Sequence, residues 1–206
     1  MKLKPPARLT ALQKKQASEV LTKAFQEDQV FVKIIPDTVE RTISLQYLWH
    51  AVITYCSIYG VIYTDTPIHG VACWLSPGNT EMTLWRMFRT GLPFTRALMK
   101  FSGQTRSRFL EVLDYIDMAH KTLGDMPHWY LWTLGVEPEF QHQGIGGKLI
   151  EPVLSQAYTD GIACYLETQS ESNVAYYKKC GFTVLTEVEV PAGNIVIWTM
   201  LREPHT

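Results

Sequence analysis

The sequence contains no CxxC pair: its four cysteines, Cys56, Cys73, Cys164 and Cys180, stand far apart. That spacing excludes a zinc ribbon or a dithiol redox motif and is expected of free thiols in a reducing compartment. The six histidines form no HExxH and no clustered ligand spacing, so no metal is expected. There is no run of about 18 apolar residues, and no apolar segment follows the lysines of "MKLKPPARLT". The expectation is a soluble, cytoplasmic protein without a membrane partner. A dense basic block is missing too, with 19 Lys+Arg against 20 Asp+Glu and a net charge of -1. That balance argues against nucleic acid as a partner.

What is present is a chain of 206 residues, 46% hydrophobic and 19% charged, enough for one domain over 1–206 with a sizeable core. Apolar Leu12, Ala17, Val20, Leu21 and Ala24 predict a first helix from Thr10 to Phe25. Asp37, three residues before Glu40, opens a second helix whose apolar face runs through Val39, Ile43, Tyr47, Ala51 and Ile58 to a stop near Gly60. "VIYTD" and "IHGVACWLS" read as two strands. Residues 79–125 turn helical, with breaks at Gly91-Leu92-Pro93 and Ser102-Gly103. Strand composition returns in "HWYLWTLGV", followed by a helix to about Asp160, a strand "IACYLET" and a short helix "SNVAYYKK" that stops at Gly181 in a left-handed cap. "FTVLTEVEV" and "NIVIWTML" close the chain as strands around the turn "PAGN". Pro152 sits inside the predicted helix and removes one of its backbone bonds.

The stretch "EFQHQGIGGKLIEPVL" puts Gly144, Gly146 and Gly147 where a helix must begin. Glycine weakens a helix by roughly 1 kcal/mol relative to alanine, but at an N-terminus it lets an anion approach unpaired N–H groups at the positive end of the dipole. A P-loop is excluded, because Lys148 is followed by Leu149 and His142 stands where its first glycine belongs. A dinucleotide fingerprint is excluded by Leu149 at its third glycine.

Gln141-x-x-Gly144-x-Gly146 after a strand resembles the acyl-CoA pyrophosphate loop of the GCN5-related N-acetyltransferase (GNAT) family, and "NVAYYKKCGF" matches that family's second signature. Within the family the chain is similar to the puromycin N-acetyltransferase group, through "WYLWTLGVEPEFQHQGIGGKLIEPVL", "YLETQSESNVAYYKKCGF" and "EVEVPAGNIVIWTM". The resemblance implies an α/β fold: a central twisted mixed sheet of about six to seven strands with flanking helices, and a helical insertion at 79–125 between two strands. The family's first strand would fall on "ARLTA".

The resemblance also implies roles. Leu134, Gly135 and Val136 would pair through their backbone with the pantetheine arm of acetyl-CoA, the cosubstrate. Gln141, His142, Gln143, Gly144, Ile145, Gly146 and Gly147 would hold its pyrophosphate through N–H groups. Asn173 would contact the pantetheine arm or cap the short helix. Tyr177 is the candidate acid for the departing sulfur, its alternative being a core aromatic, with Tyr176 packing on another side of the helix. Glu167 is the candidate base for the amine, its alternative being a structural ion pair. Trp49, Trp74, Trp85, Phe88, Phe94 and Trp132 are candidates to wall an acceptor pocket. The expected activity is acetyl transfer to a primary amine of a small molecule by direct attack, without an acyl-enzyme. The alternative is a non-catalytic acyl-CoA-binding or regulatory module on the same fold. A homodimer is compatible with either.

Overall fold

The computed structural model describes residues 4–191 and 193–204. Its elements are β1 (Ala7–Arg8), α1 (Lys14–Phe25), α2 (Gln29–Ile34), α3 (Thr38–Tyr59), β2 (Gly60–Thr64), β3 (Gly70–Leu75), α4 (Leu84–Arg89), α5 (Pro93–Leu98), α6 (Gly103–Lys121), β4 (His128–Val136), α7 (Ile145–Asp160), β5 (Ala163–Thr168), α8 (Glu171–Lys179), β6 (Thr183–Val190) and β7 (Ile195–Arg202). The strands form one seven-stranded sheet in the order β1-β2-β3-β4-β5-β7-β6. Every neighbouring pair is antiparallel except β4 and β5, which run parallel.

Alternation along β3 assigns the two faces of the sheet. Val71, Cys73 and Leu75 join the core formed with α1, α3, α5 and α6, while Ala72 and Trp74 join the core formed with α7 and α8. A strand buried on both faces reads as a continuous apolar run, which is what "GVACWL" is. α1 packs directly over Gly135: a Cβ there would lie 2.7 Å from Leu21 Cδ2 and 3.0 Å from Phe25 Cε2.

Several expectations need correction. The first helix begins at Lys14 after a 3-10 turn over Ala11–Gln13, and Leu12 is 97% exposed rather than part of an apolar face. "ARLTA" contributes only the two residues Ala7 and Arg8 as strand. On α3, Val39, Ile43, Tyr47 and Ile58 face outward, and the buried face is Leu45, Leu48, Trp49, Val52, Ile53 and Cys56, with Ala51. α3 is apolar almost all round, so spacing alone does not choose its buried side. The segment before α3 contains α2, capped by the Asp28 carboxylate, which accepts from the Val30 and Phe31 N–H groups at 2.9 and 3.4 Å.

Other expectations hold. Asp37 accepts from the Glu40 N–H at 2.7 Å. The region 79–125 supplies three helices, separated near Gly91 and Ser102. α8 ends with Gly181 at φ +88°, the Phe182 N–H bonded to the Tyr177 carbonyl and the Gly181 N–H to that of Lys178. Pro152 lies within α7, which continues through it. Of the "PAGN" turn between β6 and β7, Ala192 is outside the described residues.

Candidate active site

β4 and β5 are in register from His128 opposite Ala163 to Leu131 opposite Leu166, and there the pairing stops. β5 continues to Thr168, and β4 continues to Val136 while still paired with β3 through Thr133, Leu134, Gly135 and Val136. One edge of β4 is thus satisfied by β3, and beyond Leu131 the other edge has no strand partner among the described residues. Backbone groups on such an edge need partners. An extended chain bearing amides, such as pantetheine, can supply them, so the edge at Leu134, Gly135 and Val136 suits acyl-CoA.

The strand end leads into a short 3-10 turn at Pro138–Phe140 and then the loop ahead of α7. His142 and Gly144 adopt left-handed conformations, φ 60° and 81°. Gln141 donates from its amide to the Val136 carbonyl at 3.1 Å, and Gln143 to the Glu139 carbonyl at 3.2 Å, so both side chains pin the loop to itself. Gly144 is the N-cap of α7, and the first intrahelical bond there runs from the Lys148 N–H to the Gly144 carbonyl. The N–H groups of Ile145, Gly146 and Gly147 precede that bond, and no acidic side chain lies in the first turn. This arrangement suits a phosphate.

Where β4 and β5 part, a cavity of about 200 Å³ passes between the two cores of the sheet. Phe25, Phe31, Leu48 and Trp49 line it from one face, Leu131 and Tyr177 from the other. Glu167 and Tyr177 both line it, from β5 and α8. Burial raises the Glu167 carboxyl to about 7, an effect that the Tyr130 and Tyr165 hydroxyls partly offset. Burial likewise pushes the Tyr177 phenol upward. The site therefore holds a carboxyl poised near neutrality and a phenol that keeps its proton.

Asn173 also lines the cavity but does not cap α8; Ser170 occupies the N-cap position and Asn173 lies inside the helix. Of the aromatic candidates, Trp49, Phe94 and Trp132 line the cavity. Trp74 is fully buried in the opposite core, and Trp85 and Phe88 are 71% and 65% exposed, stacked on each other at 6.3 Å. None of those three walls the cavity. Sequence reasoning missed Asp28 and Phe31, which reach the cavity from α2 and its cap. An Asp ahead of an apolar run is an N-cap signal that marks this helix. No cysteine lines the cavity, and burial raises the thiols of Cys56, Cys180 and Cys164, the last to about 12. Among the described residues no group of three or more His, Cys, Asp or Glu could hold a metal, and no helix is long and apolar enough to cross a membrane.

Residues 109–182 match the acetyltransferase (GNAT) family. The match spans the parting of β4 and β5, the glycine loop and α8. It supports a GNAT-family acetyltransferase. The chain is 28% identical to an uncharacterized N-acetyltransferase of Schizosaccharomyces pombe over 97% of its own length and 83% of that protein's. Its fold resembles the Corynebacterium glutamicum protein described as histone acetyltransferase HPA2 and related acetyltransferase, with a TM-score of 0.64, 21% identity and 98% of each chain covered. It also resembles arylalkylamine N-acetyltransferase 2 of Aedes aegypti, with a TM-score of 0.61, 14% identity, and 97% and 98% covered. GNAT enzymes use acetyl-CoA as cosubstrate, and the unpaired β4 edge and glycine loop are the features of this chain that suit it.

Proposed function

We propose that the protein transfers the acetyl group of acetyl-CoA to a primary amine of a small molecule, by direct attack within a ternary complex. The observation that carries this reading is the convergence of Glu167 and Tyr177 on one cavity, at the point where β4 separates from β5. Acetyl-CoA would supply the activated acetyl carbon as a thioester. Glu167, with its carboxyl near 7, takes a proton from the incoming ammonium, directly or through water, so that the nitrogen has a free pair. As the N–C bond forms and the C–S bond breaks, the Tyr177 hydroxyl gives its proton to the sulfur, and the extra proton on the new amide nitrogen returns through water to the Tyr177 oxygen. Backbone groups of Leu134 to Val136 orient the thioester, and the N–H groups of the loop hold the pyrophosphate. The raised thiols, all away from the cavity, favour direct attack over an acyl-cysteine.

The acceptor side is apolar and aromatic, with Trp49, Phe94 and Trp132 among its walls, which favours an aryl-bearing or aminoacyl-like amine of the kind taken by the puromycin-type group. The arylalkylamine activity named for the Aedes aegypti protein points the same way. Residues 1–206 are read as one cytoplasmic domain in which 79–125 covers the acceptor. Initial rates of thiol release, measured over a panel of amines while both substrates vary, test the mechanism. Intersecting double-reciprocal lines are expected; parallel lines would signal an acyl-enzyme.

A further inference from the structure

Tyr176 and Tyr177 are neighbours on α8, yet they face different places. Tyr177 reaches the cavity. The Tyr176 hydroxyl lies against the first turn of α7: a Cβ built on Gly146 would meet it at 3.4 Å, and one on Gly147 at 3.7 Å. The Cβ on Gly146 would next meet the side chains of Leu134 and Val136, from the end of β4, at 3.6 and 4.0 Å. The Tyr176 hydroxyl is thus placed where the strand edge, the glycine turn and α8 come together. It is shielded from solvent, and its polar neighbour is the Cys180 thiol, whose sulfur is a weak acceptor. A buried hydroxyl held only by a weak acceptor is incompletely satisfied, so its position suits a stronger acceptor that arrives with a ligand. Burial raises this phenol, and the nearby Cys180 thiol raises it further, so it stays a donor at neutral pH.

We infer that the Tyr176 hydroxyl is a cosubstrate-positioning group that donates to a phosphate oxygen of the CoA pyrophosphate held on the Gly146 and Gly147 turn. This inference rests on the reading of the loop as a pyrophosphate site. It corrects the expectation that Tyr176 only packs. It also gives a physical reason for glycine at 146 beyond access to the N–H group, since a side chain there would press on the hydroxyl. α8 would then serve both ends of the cosubstrate: Tyr177 at the sulfur and Tyr176 at the phosphates.

Tyr176→Phe removes one oxygen and keeps the ring, so its melting temperature without ligand should equal or exceed that of the native protein. Calorimetric titration should show CoA bound about 10-fold more weakly, the range for a hydrogen bond to a charged group, and phosphorus NMR should show displaced resonances of the bound pyrophosphate. The Michaelis constant for S-acetylpantetheine, which lacks the pyrophosphate, should not change. Cys180→Ala should bind CoA like the native protein. Unchanged CoA affinity in Tyr176→Phe would overturn the inference, as would equal losses for CoA and S-acetylpantetheine, or the same loss in Cys180→Ala. Native protein that fails to bind CoA at all would sink the loop reading itself, a result distinct from native binding that Tyr176→Phe leaves intact.

Discussion

Leu131 of β4 and Leu166 of β5 are the last residues held in register between these two parallel strands. The next residue of β5 is Glu167, so the base candidate stands at the first position where the sheet opens. One residue earlier, Leu166 faces the other core of the sheet. The placement of Glu167 makes it both shielded enough to be raised and open to the cavity.

That raised carboxyl has opposite consequences for stability and activity. A Glu whose folded value lies near 7 against an ordinary 4.5 favours the folded state fully below about 4.5, and the contribution is lost as pH rises through about 7. Glu167→Gln removes the cost of charging the site. Relative to the native protein it should gain stability between pH 5 and 8, by on the order of 2 kcal/mol, while losing turnover. Urea melts across that range check the first part. Native activity should rise through about pH 7, and the variant should lack that limb and recover only as free amine increases. A pH-independent stability difference would mean that the carboxyl does not titrate there.

Tyr177→Phe deletes only a hydroxyl in the cavity wall. Turnover should fall between about 10²-fold and 10⁴-fold, the range for acid-base catalysis, while affinity for CoA barely moves. Near-native turnover would reduce Tyr177 to a packing role and leave water as the acid.

Gly146→Asp places a negative side chain beside the N–H groups of the α7 turn. At ~100 times its dissociation constant, CoA should stabilise the native protein by about 2.7 kcal/mol, and this variant should lose that shift. Thermal melts with and without CoA decide it, the melt without ligand serving as a control for crowding against Tyr176 and Leu134. A full CoA shift in the variant would refute the loop assignment.

The cavity walls separate two tryptophans. Trp132→Ala should raise the Michaelis constant of an aryl-bearing amine about 10-fold and that of acetyl-CoA much less, as expected for the loss of one aromatic wall. Trp85→Ala, changing an exposed ring outside the cavity, should leave both near native values. Steady-state kinetics with both substrates varied gives the comparison.

The His120 and His128 pair predicts an acid limb. The His128 Nδ1–H donates to the Met126 carbonyl at 2.7 Å, so its Nε2 accepts from the His120 Nε2–H at 2.8 Å. His128 must be neutral to accept, and burial disfavours a charge on either ring. Burial lowers both, His120 to about 4, with the neighbouring His128 adding to the effect. Their contribution is full above about 6.5 and is lost as pH falls toward 4, opposite in sign to that of Glu167. His120→Gln, which keeps a donor toward His128, should therefore flatten the acid side of the stability profile. A native-like acid limb in that variant would place the titration elsewhere.

Legibility in the sequence followed locality. The glycine turn, the Gly181 cap and the breaks at Gly91 and Ser102 depend on backbone conformation within a few residues, and the sequence marks them directly. The seven-stranded sheet followed from runs of β-branched and aromatic residues together with the family resemblance. The buried face of α3 was not legible, because Ile43 and Ile53 have the same chemistry and only the packing of α1 and α5 distinguishes them. The same limit separated Trp132 from Trp85. Tyr176 was read as packing because helical spacing gives the direction of a side chain but not what stands across from it.

The most direct measurement is amine-dependent acetyl transfer from acetyl-CoA, with thiol release and acetylated product quantified together by mass spectrometry, for the native protein and for the combined Glu167→Gln, Tyr177→Phe variant. The prediction is one acetylated amine per thiol released by the native protein, with an aryl-bearing amine among the acceptors, and binding of CoA without product by the variant. Native protein that binds CoA yet acetylates no amine of the panel would contradict the account and favour an acyl-CoA-binding module, and a variant that matches native turnover would move the chemistry away from the parting of β4 and β5.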